Sequence, residues 1–217
     1  MNKTLKQLIT ATCLSAFITF SAQAALTEQD LTIYNQASAG NEDQVEPAYQ
    51  LLSKLIEDEG ATSITLVYLG STETLKGRDA WMPWTAMKHV EKGLASIDKG
   101  LTLLSTEKKT VAQQSTLLGL KESYLTRAVA ASTYSSLPDM FNHFERGYEL
   151  FLTLLSEPEF NAHPFPATAW VYDYAIQAAI RAEDLSQASK WLTVMQVKDK
   201  NHPLTLKAEQ AVAKEKS

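Results

Sequence analysis

Two rows of small residues, spaced seven apart, constrain the fold of this chain more than any other feature. They occupy the neighbouring segments 61–80 and 84–104 and consist of Ser63, Gly70 and Gly77 and of Ala86, Gly93 and Gly100. Seven residues are close to two turns of an α-helix, so each row predicts a strip along one helix. A glycine inside a helix costs about 1 kcal/mol relative to alanine. Four glycines in such positions indicate two helix backbones in very close contact.

Between the two segments, the sequence Trp81-Met82-Pro83 predicts a corner. Proline suits the first turn of a helix, where its missing N–H is not needed, so the second helix is expected to open at Pro83. That helix also carries an apolar stripe, formed by Met87, Val90, Leu94, Ile97, Leu101 and Leu104. The pattern predicts an αα-hairpin that buries the stripe and meets along the small residues.

The first 24 residues have the pattern of a cleaved secretory signal peptide. Lys3 and Lys6 supply positive charge, residues 8–20 are mainly apolar, and residues 22–24 read Ala-Gln-Ala, as a cleavage site does. A transmembrane anchor needs about 20 apolar residues, and this run is shorter and interrupted by serine and threonine. We therefore predict that residues 1–24 are removed on export.

Composition and charge exclude several classes of function for the expected mature chain, 25–217. The one cysteine of the full sequence, Cys13, lies in the predicted leader and is not preceded by a lipobox, so disulfides and thiolate chemistry are excluded for the mature chain. The formal net charge is −5 for the full sequence and becomes −7 when Lys3 and Lys6 are removed, and no basic run occurs, which disfavours nucleic acid and anionic lipid as partners. No second hydrophobic span follows the leader, so we expect no membrane span after cleavage.

Helical spacing of apolar residues extends through the rest of the chain. The predicted helical segments are 27–40, 41–60, 61–80, 84–104, 111–133, 136–156, a hairpin over 167–195, and 204–214. The helix after residue 136 is expected to start at the S-x-x-D pattern of Ser136 and Asp139. The proline-rich stretch 157–166 is predicted to be a loop. No convincing alternation of apolar and polar residues occurs, so the chain is predicted to be all-α.

The final hairpin resembles a tetratricopeptide (TPR) unit. The residues that carry the resemblance are Tyr172, Ala179, Ala182-Glu183-Asp184-Leu185, Ala188 and Leu192, about half of the signature, while its closing proline comes late, at Pro203. The resemblance implies one TPR-like domain over 25–217, built of stacked antiparallel hairpins in a right-handed superhelix. The hairpin at 61–104 is similar to TPR-like periplasmic proteins of Gram-negative bacteria. Such families imply a periplasmic scaffold for other proteins, with no shared chemistry.

No catalytic, metal or cofactor motif stands out. The four histidines, His89, His143, His163 and His202, fall in separate segments without the spacing of a zinc site. Phosphate-binding loops, dinucleotide-binding loops and nucleophile elbows are absent from the sequence. Carboxylates cluster only on predicted helix surfaces. We therefore predict no catalytic residues, no metal and no cofactor.

The candidate partner-binding residues lie mainly at the corner of the hairpin, with one in the proline-rich stretch. They are Tyr68, Trp81, Met82, Trp84, His89 and Phe165. Tryptophan and tyrosine dominate protein interfaces, so the two tryptophans are candidate anchors for a partner. Alternatively, both pack inside the end of the hairpin as a plug. We favour the plug, because two large apolar side chains beside a helix start most often belong to the core.

These observations favour an exported, non-enzymatic scaffold or adaptor that binds another envelope protein or peptide, for example in a transport or assembly system. Two alternatives stay open: a hydrolase with an all-α cleft, and a carrier of a small apolar ligand. An enzyme requires titratable groups that converge in one cleft. A carrier requires an apolar cavity large enough for its ligand. An adaptor predicts a partner that co-purifies with the protein and no cluster of titratable residues in a pocket.

Overall fold

The computed structural model describes residues 26–215, and this part of the chain folds into ten α-helices and one short β-hairpin. The helices are α1 Glu28–Ser38, α2 Val45–Glu59, α3 Ser63–Asp79, α4 Pro83–Thr106, α5 Glu122–Ser136, α6 Phe144–Ser156, α7 Pro158–Asn161, α8 Phe165–Arg181, α9 Leu185–Asp199 and α10 Pro203–Glu215. The strands are β1 Thr116–Leu117 and β2 Leu120–Lys121. The all-α prediction is therefore confirmed. The predicted leader, 1–24, lies outside the described residues.

Consecutive helices pack in pairs, and the pairs pack on one another. Helix α1 contacts α2, α3 contacts α4, α5 contacts α6, and α8 contacts α9. The first helices of these pairs, α1, α3, α5 and α8, form a row in which each contacts the next. Helix α10 packs against α8 and α9 at the end of the row. One contiguous cluster of buried apolar side chains runs through all pairs, from Leu26 to Val212.

The predicted contact between α3 and α4 is confirmed, residue by residue. A Cβ added to Gly93 would lie 2.5 Å from the carbonyl oxygen of Gly70, and a Cβ on Gly70 would collide with the carbonyl oxygen of Gly93. A Cβ on Gly77 would lie 2.9 Å from Ala86 O, and one on Gly100 would lie 2.8 Å from Ser63 O. We call this contact the glycine seam. Its antiparallel register follows from the pairing of early residues of α3 with late residues of α4.

The segment 111–133 is wrongly predicted as one helix. A short 3₁₀ turn at Val111–Gln113 leads into the β-hairpin, and α5 begins only after it. The hairpin pairs Leu117 with Leu120 across a turn at Leu118 and Gly119, whose φ angles are 52° and 77°. A two-residue turn with positive φ at both positions matches the twist of paired strands and cannot belong to a helix. Two apolar residues of the segment, Leu117 and Leu120, are nevertheless buried in the core.

Two further boundaries differ from prediction, at 136–143 and at 157–166. Ser136 is the last residue of α5, and a 3₁₀ turn at Asp139–Phe141 and a left-handed Asn142 separate it from α6. The proline-rich stretch is not a loop but holds α7 and the start of α8. Its prolines lie at or near helix starts, where proline is tolerated. In the described residues, no helix is long and apolar enough to cross a membrane.

Candidate functional site

A cleft of about 660 Å³ opens where the end of α3, the start of α4 and the end of α5 meet. We call it the corner cleft. Further walls come from α1, from residues 137–141 after α5, and from Tyr174 of α8. Its surface is mostly apolar, and its volume falls in the range of clefts that bind small molecules or side chains. The cleft lies at the helix row formed by α1, α3, α5 and α8.

The floor of the corner cleft continues the glycine seam. Gly77, Ala86 and Val90 belong to both, because the seam reaches the end of α3 at this point. Two methionines stand at the rim, Met87 on α4 and Met140 after α5, and Met140 is 63% exposed. Methionine has a flexible, polarizable side chain that adapts to different apolar partners. The rim is therefore suited to contact apolar groups of varied shape.

A chain of hydroxyl groups from three residues in the wall of the cleft ties three helices together. Tyr34 Oη lies 2.8 Å from Ser71 Oγ, which lies 2.8 Å from Thr133 Oγ1. Thr133 Oγ1 donates to the carbonyl oxygen of Val129 at 2.8 Å. Since each hydroxyl has one hydrogen, Thr133 must accept from Ser71, and Ser71 from Tyr34. The direction of every bond is thus fixed, and α1, α3 and α5 are held in one arrangement around the cleft.

The stability of the protein is expected to fall in alkaline solution because of buried tyrosines. Burial raises the pKa of Tyr34 and of Tyr172 to about 12, against about 10 in an unfolded chain. Stability that depends on the neutral phenols is complete below about pH 10 and is lost as the pH rises through about 12. Denaturant unfolding at a series of pH values tests this, and Tyr34→Phe should make the decline less steep. A constant unfolding free energy up to about pH 12 would contradict it.

Arg78 is the one charged residue among those that line the corner cleft. Its Nε and Nη2 donate to Asp79 Oδ1 and Oδ2, at 2.5 and 2.9 Å, and its Nη1 donates to Ala37 O at 3.3 Å. This pairing neutralises most of the charge that Arg78 would present to the cleft. The lining holds no carboxylate and no histidine with which a general acid and base could be built.

A second, smaller cleft of about 360 Å³ adjoins the corner cleft along the helix row. The two clefts share Tyr34, Ser38, Ser132 and Tyr174 in their walls. Trp170 lines the second cleft and contacts Tyr174 edge-to-face, with ring centroids 6.2 Å apart. The shared walls make the clefts neighbouring compartments of one longer groove, with aromatic rings at their boundary.

The favoured interpretation of the two corner tryptophans as a plug is wrong. Trp81 is 88% exposed and Trp84 is 67% exposed. The end of the hairpin is instead closed by the seam itself, which leaves no space for an indole between the helices. Pro83, which lies between the two tryptophans, lines the corner cleft. Both indoles therefore stand in solvent next to the cleft.

The other predicted binding residues are distributed differently. Met82 is half-buried at the corner. Tyr68 is 1% exposed and packs edge-to-face on Tyr34 at 4.6 Å, so it stabilises the wall of the second cleft. Phe165 is buried at the start of α8 and packs on His202. Only the two tryptophans and Met82 lie together at the corner, while Tyr68 and Phe165 belong to the core.

His89 belongs to an electrostatic cluster between α3 and α4. Its Nδ1 donates to Glu73 Oε1 at 2.7 Å, and Lys92 Nζ lies 3.3 Å from the same oxygen. Lys92 also donates to Tyr49 Oη at 2.8 Å, which brings in α2. Glu73 is almost completely buried, and its Oε1 has both His89 and Lys92 as partners inside the helix pair. The location indicates a structural role for His89.

Sequence reasoning missed several residues of the corner cleft. Leu75, Met140 and Tyr174 line it, and Met87, expected inside the hairpin, lies at its rim. Met87 could have been found, because it begins the apolar stripe of α4 one turn before the first buried member, Val90. Met140 and Tyr174 come from distant segments, and no local pattern distinguishes them.

Comparison of the chain with protein-family models, with curated proteins and with solved structures finds no match. Among residues 26–215, no three histidine, cysteine, aspartate or glutamate side chains converge as the ligands of a metal ion would.

Proposed function

We propose that the protein is a non-enzymatic binding module whose corner cleft receives apolar side chains of another polypeptide. The observation that carries the proposal is the pair of exposed indoles, Trp81 and Trp84, beside an open apolar cleft. Exposed tryptophan adds nothing to the core, and at interfaces it contributes some of the largest binding energies. Mobile methionines at the rim suit a partner whose side chains vary.

The proposal includes a TPR-like architecture and a place in the cell envelope. The paired helices, and the row in which α1, α3, α5 and α8 contact one another, support the architecture. In helical-repeat proteins such a row forms the binding surface. The leader-like pattern of residues 1–24 supports export, and the partner would then be an envelope protein or peptide.

Site-specific photo-crosslinking tests the proposed binding face. A photoreactive phenylalanine analogue placed at Met87 or at Met140 should give the same discrete crosslinked product in living cells. The control position is Val197 on α9, which is 83% exposed but does not line the corner cleft. Equal crosslinking at all three positions, or none at Met87 and Met140, would contradict the proposal.

Replacing Trp84 with alanine should reduce crosslinking from Met87 at least about tenfold, as loss of a hot-spot tryptophan does. Because the side chain is 67% exposed, the free energy of unfolding should change by no more than about 0.5 kcal/mol. Thermal melts and crosslink yields of the same preparations check both statements. Loss of the fold together with loss of crosslinking would show that Trp84 acts through stability.

A carrier of a small apolar ligand is the second candidate, and the volume of the corner cleft favours it. Phenylnaphthylamine, a dye that fluoresces in apolar surroundings, separates the two. A carrier should bind the dye in the cleft, keep that binding when Trp84 is changed to alanine, and give no protein crosslink from Met87. A peptide-binding module should give the crosslink and lose it in the Trp84 variant.

A further inference from the structure

A third cleft, of about 440 Å³, lies apart from the corner cleft and has a different character. Its walls are the end of α4, the connector 107–114, the start of α5 and one side of α6. None of its lining residues lines the corner cleft. We call it the basic cleft, because Lys109, Arg127 and Arg146 line it. Glu107 is the carboxylate among its described lining residues, and Glu157 and Asp98 pair with the two arginines from outside the lining.

Both arginines are held in place and keep donors for a ligand. Arg127 Nη1 and Nη2 bind Glu157 Oε1 and Oε2 at 2.5 and 3.0 Å. Arg146 Nη1 binds Asp98 Oδ1. A guanidinium has five N–H donors, so each arginine retains several after these bonds. Fixed guanidinium groups with free donors are suited to bind carboxylate or phosphate oxygens.

The wall of the basic cleft also contains a buried hydroxyl group without a partner. Ser123 is 8% exposed, and its Oγ makes no hydrogen bond with any of residues 26–215. Its backbone N–H is already used, since it donates to Gln114 Oε1 at 3.0 Å. A buried hydroxyl with no partner destabilises a protein, so its presence here indicates a ligand that completes it. Ser123 lies in the first turn of α5, where the helix dipole also favours an anion.

Apolar side chains complete the cleft beside these groups. Leu101 and Leu104 come from the end of the α4 stripe, Leu150 comes from α6, and Val111 comes from the connector. We propose that the basic cleft binds an anionic amphiphile. Its carboxylate or phosphate head contacts Lys109, the two arginines and Ser123 Oγ, and its alkyl chain lies against the leucines.

Calorimetric titration of the full chain with octanoate, octyl phosphate, octanol and acetate tests this proposal. At least one of the two anionic amphiphiles should bind about tenfold more tightly than octanol or acetate, because only it offers both charge and chain. The tighter of octanoate and octyl phosphate identifies the preferred head. Equal affinities for octanol and for both anions would overturn the proposal.

Two variants and a control make the test specific to the cleft. Ser123→Ala should weaken binding of the anion about tenfold while the melting temperature stays the same or rises, since it removes a hydroxyl with no partner. Lys109→Gln, on an exposed connector, should weaken binding without affecting the fold. Lys190→Gln, on the exposed side of α9, should leave the affinity unchanged. Unchanged affinity in both cleft variants would overturn the assignment, whatever happens at the corner cleft.

Discussion

Replacing Gly93 with alanine is expected to lower the free energy of unfolding by about 1–3 kcal/mol, although alanine is the better helix former. The new Cβ would lie 2.5 Å from Gly70 O and 2.8 Å from Thr74 Cγ2. A backbone oxygen cannot rotate away, so α3 and α4 would have to separate. Leucine at the same position should cost more, about 3 kcal/mol or above. Chemical denaturation of the variants measures both effects.

The matched control for this prediction is Ala95→Gly, on the exposed side of the same helix. It reports helix propensity alone and should cost about 1 kcal/mol. If Gly93 were an ordinary helix position, its replacement by alanine would stabilise the protein by a similar amount. A stabilised Gly93→Ala variant would therefore contradict a glycine seam in which the two backbones touch.

Replacing Phe160 with alanine should lower the free energy of unfolding by about 3–5 kcal/mol. Phe160 is 0% exposed, and its ring lies 5.7 Å from that of Tyr124 and 6.5 Å from that of Tyr172. Removing it leaves a cavity between α5, α7 and α8 that these aromatic rings cannot fill. Urea unfolding measured by circular dichroism would give the difference.

Glu159→Ala is the control for that change, because Glu159 precedes Phe160 in the four-residue helix α7 and is exposed. It should alter the unfolding free energy by no more than about 0.5 kcal/mol. Similar losses in both variants would mean that α7 itself is fragile. A small loss of unfolding free energy for Phe160→Ala would contradict a buried α7 and would favour the loop that the prolines of 157–166 predicted.

The α3–α4 pair could be predicted in detail because its information is local. The positions of Gly70, Gly77, Gly93 and Gly100 fix which helix faces meet, and Pro83 fixes where α4 begins. A glycine row costs helix stability unless a neighbouring backbone occupies the space. The sequence pattern therefore predicted the contact along the small residues, and the structure shows it and adds its register.

Prediction failed where a backbone turn or a distant segment decides the outcome. Gly119 lay within an apolar pattern that fits a helix, and only its positive φ shows that it forms a strand turn. The α4 stripe was expected to be core throughout, yet Met87 reaches the corner cleft, and Leu101 and Leu104 reach the basic cleft. Periodicity identifies an apolar face, but it cannot tell where the neighbouring helices that cover the face end.

The same limit explains the two corner tryptophans and the floor of the corner cleft. Trp81 and Trp84 could plug the end of the hairpin only if α3 and α4 left space for them there. Whether they do depends on the distance between the two helices. Gly77 and Ala86 bring the backbones so close that no indole fits between them. Exposure of the tryptophans is thus a consequence of the seam that the sequence predicted.

The mutual contact of Gly70 and Gly93 also limits how the corner cleft can change its width. At each glycine, a Cα hydrogen takes the place of the missing Cβ and faces the carbonyl oxygen of the other glycine. Each such C–H···O contact stabilises the helix pair by about 0.5–1 kcal/mol. This stabilisation is lost when the helices slide past each other. Helices α3 and α4 are therefore expected to behave as one rigid unit. A change in the width of the cleft would therefore have to come from its other walls, which include residues 137–141 after α5.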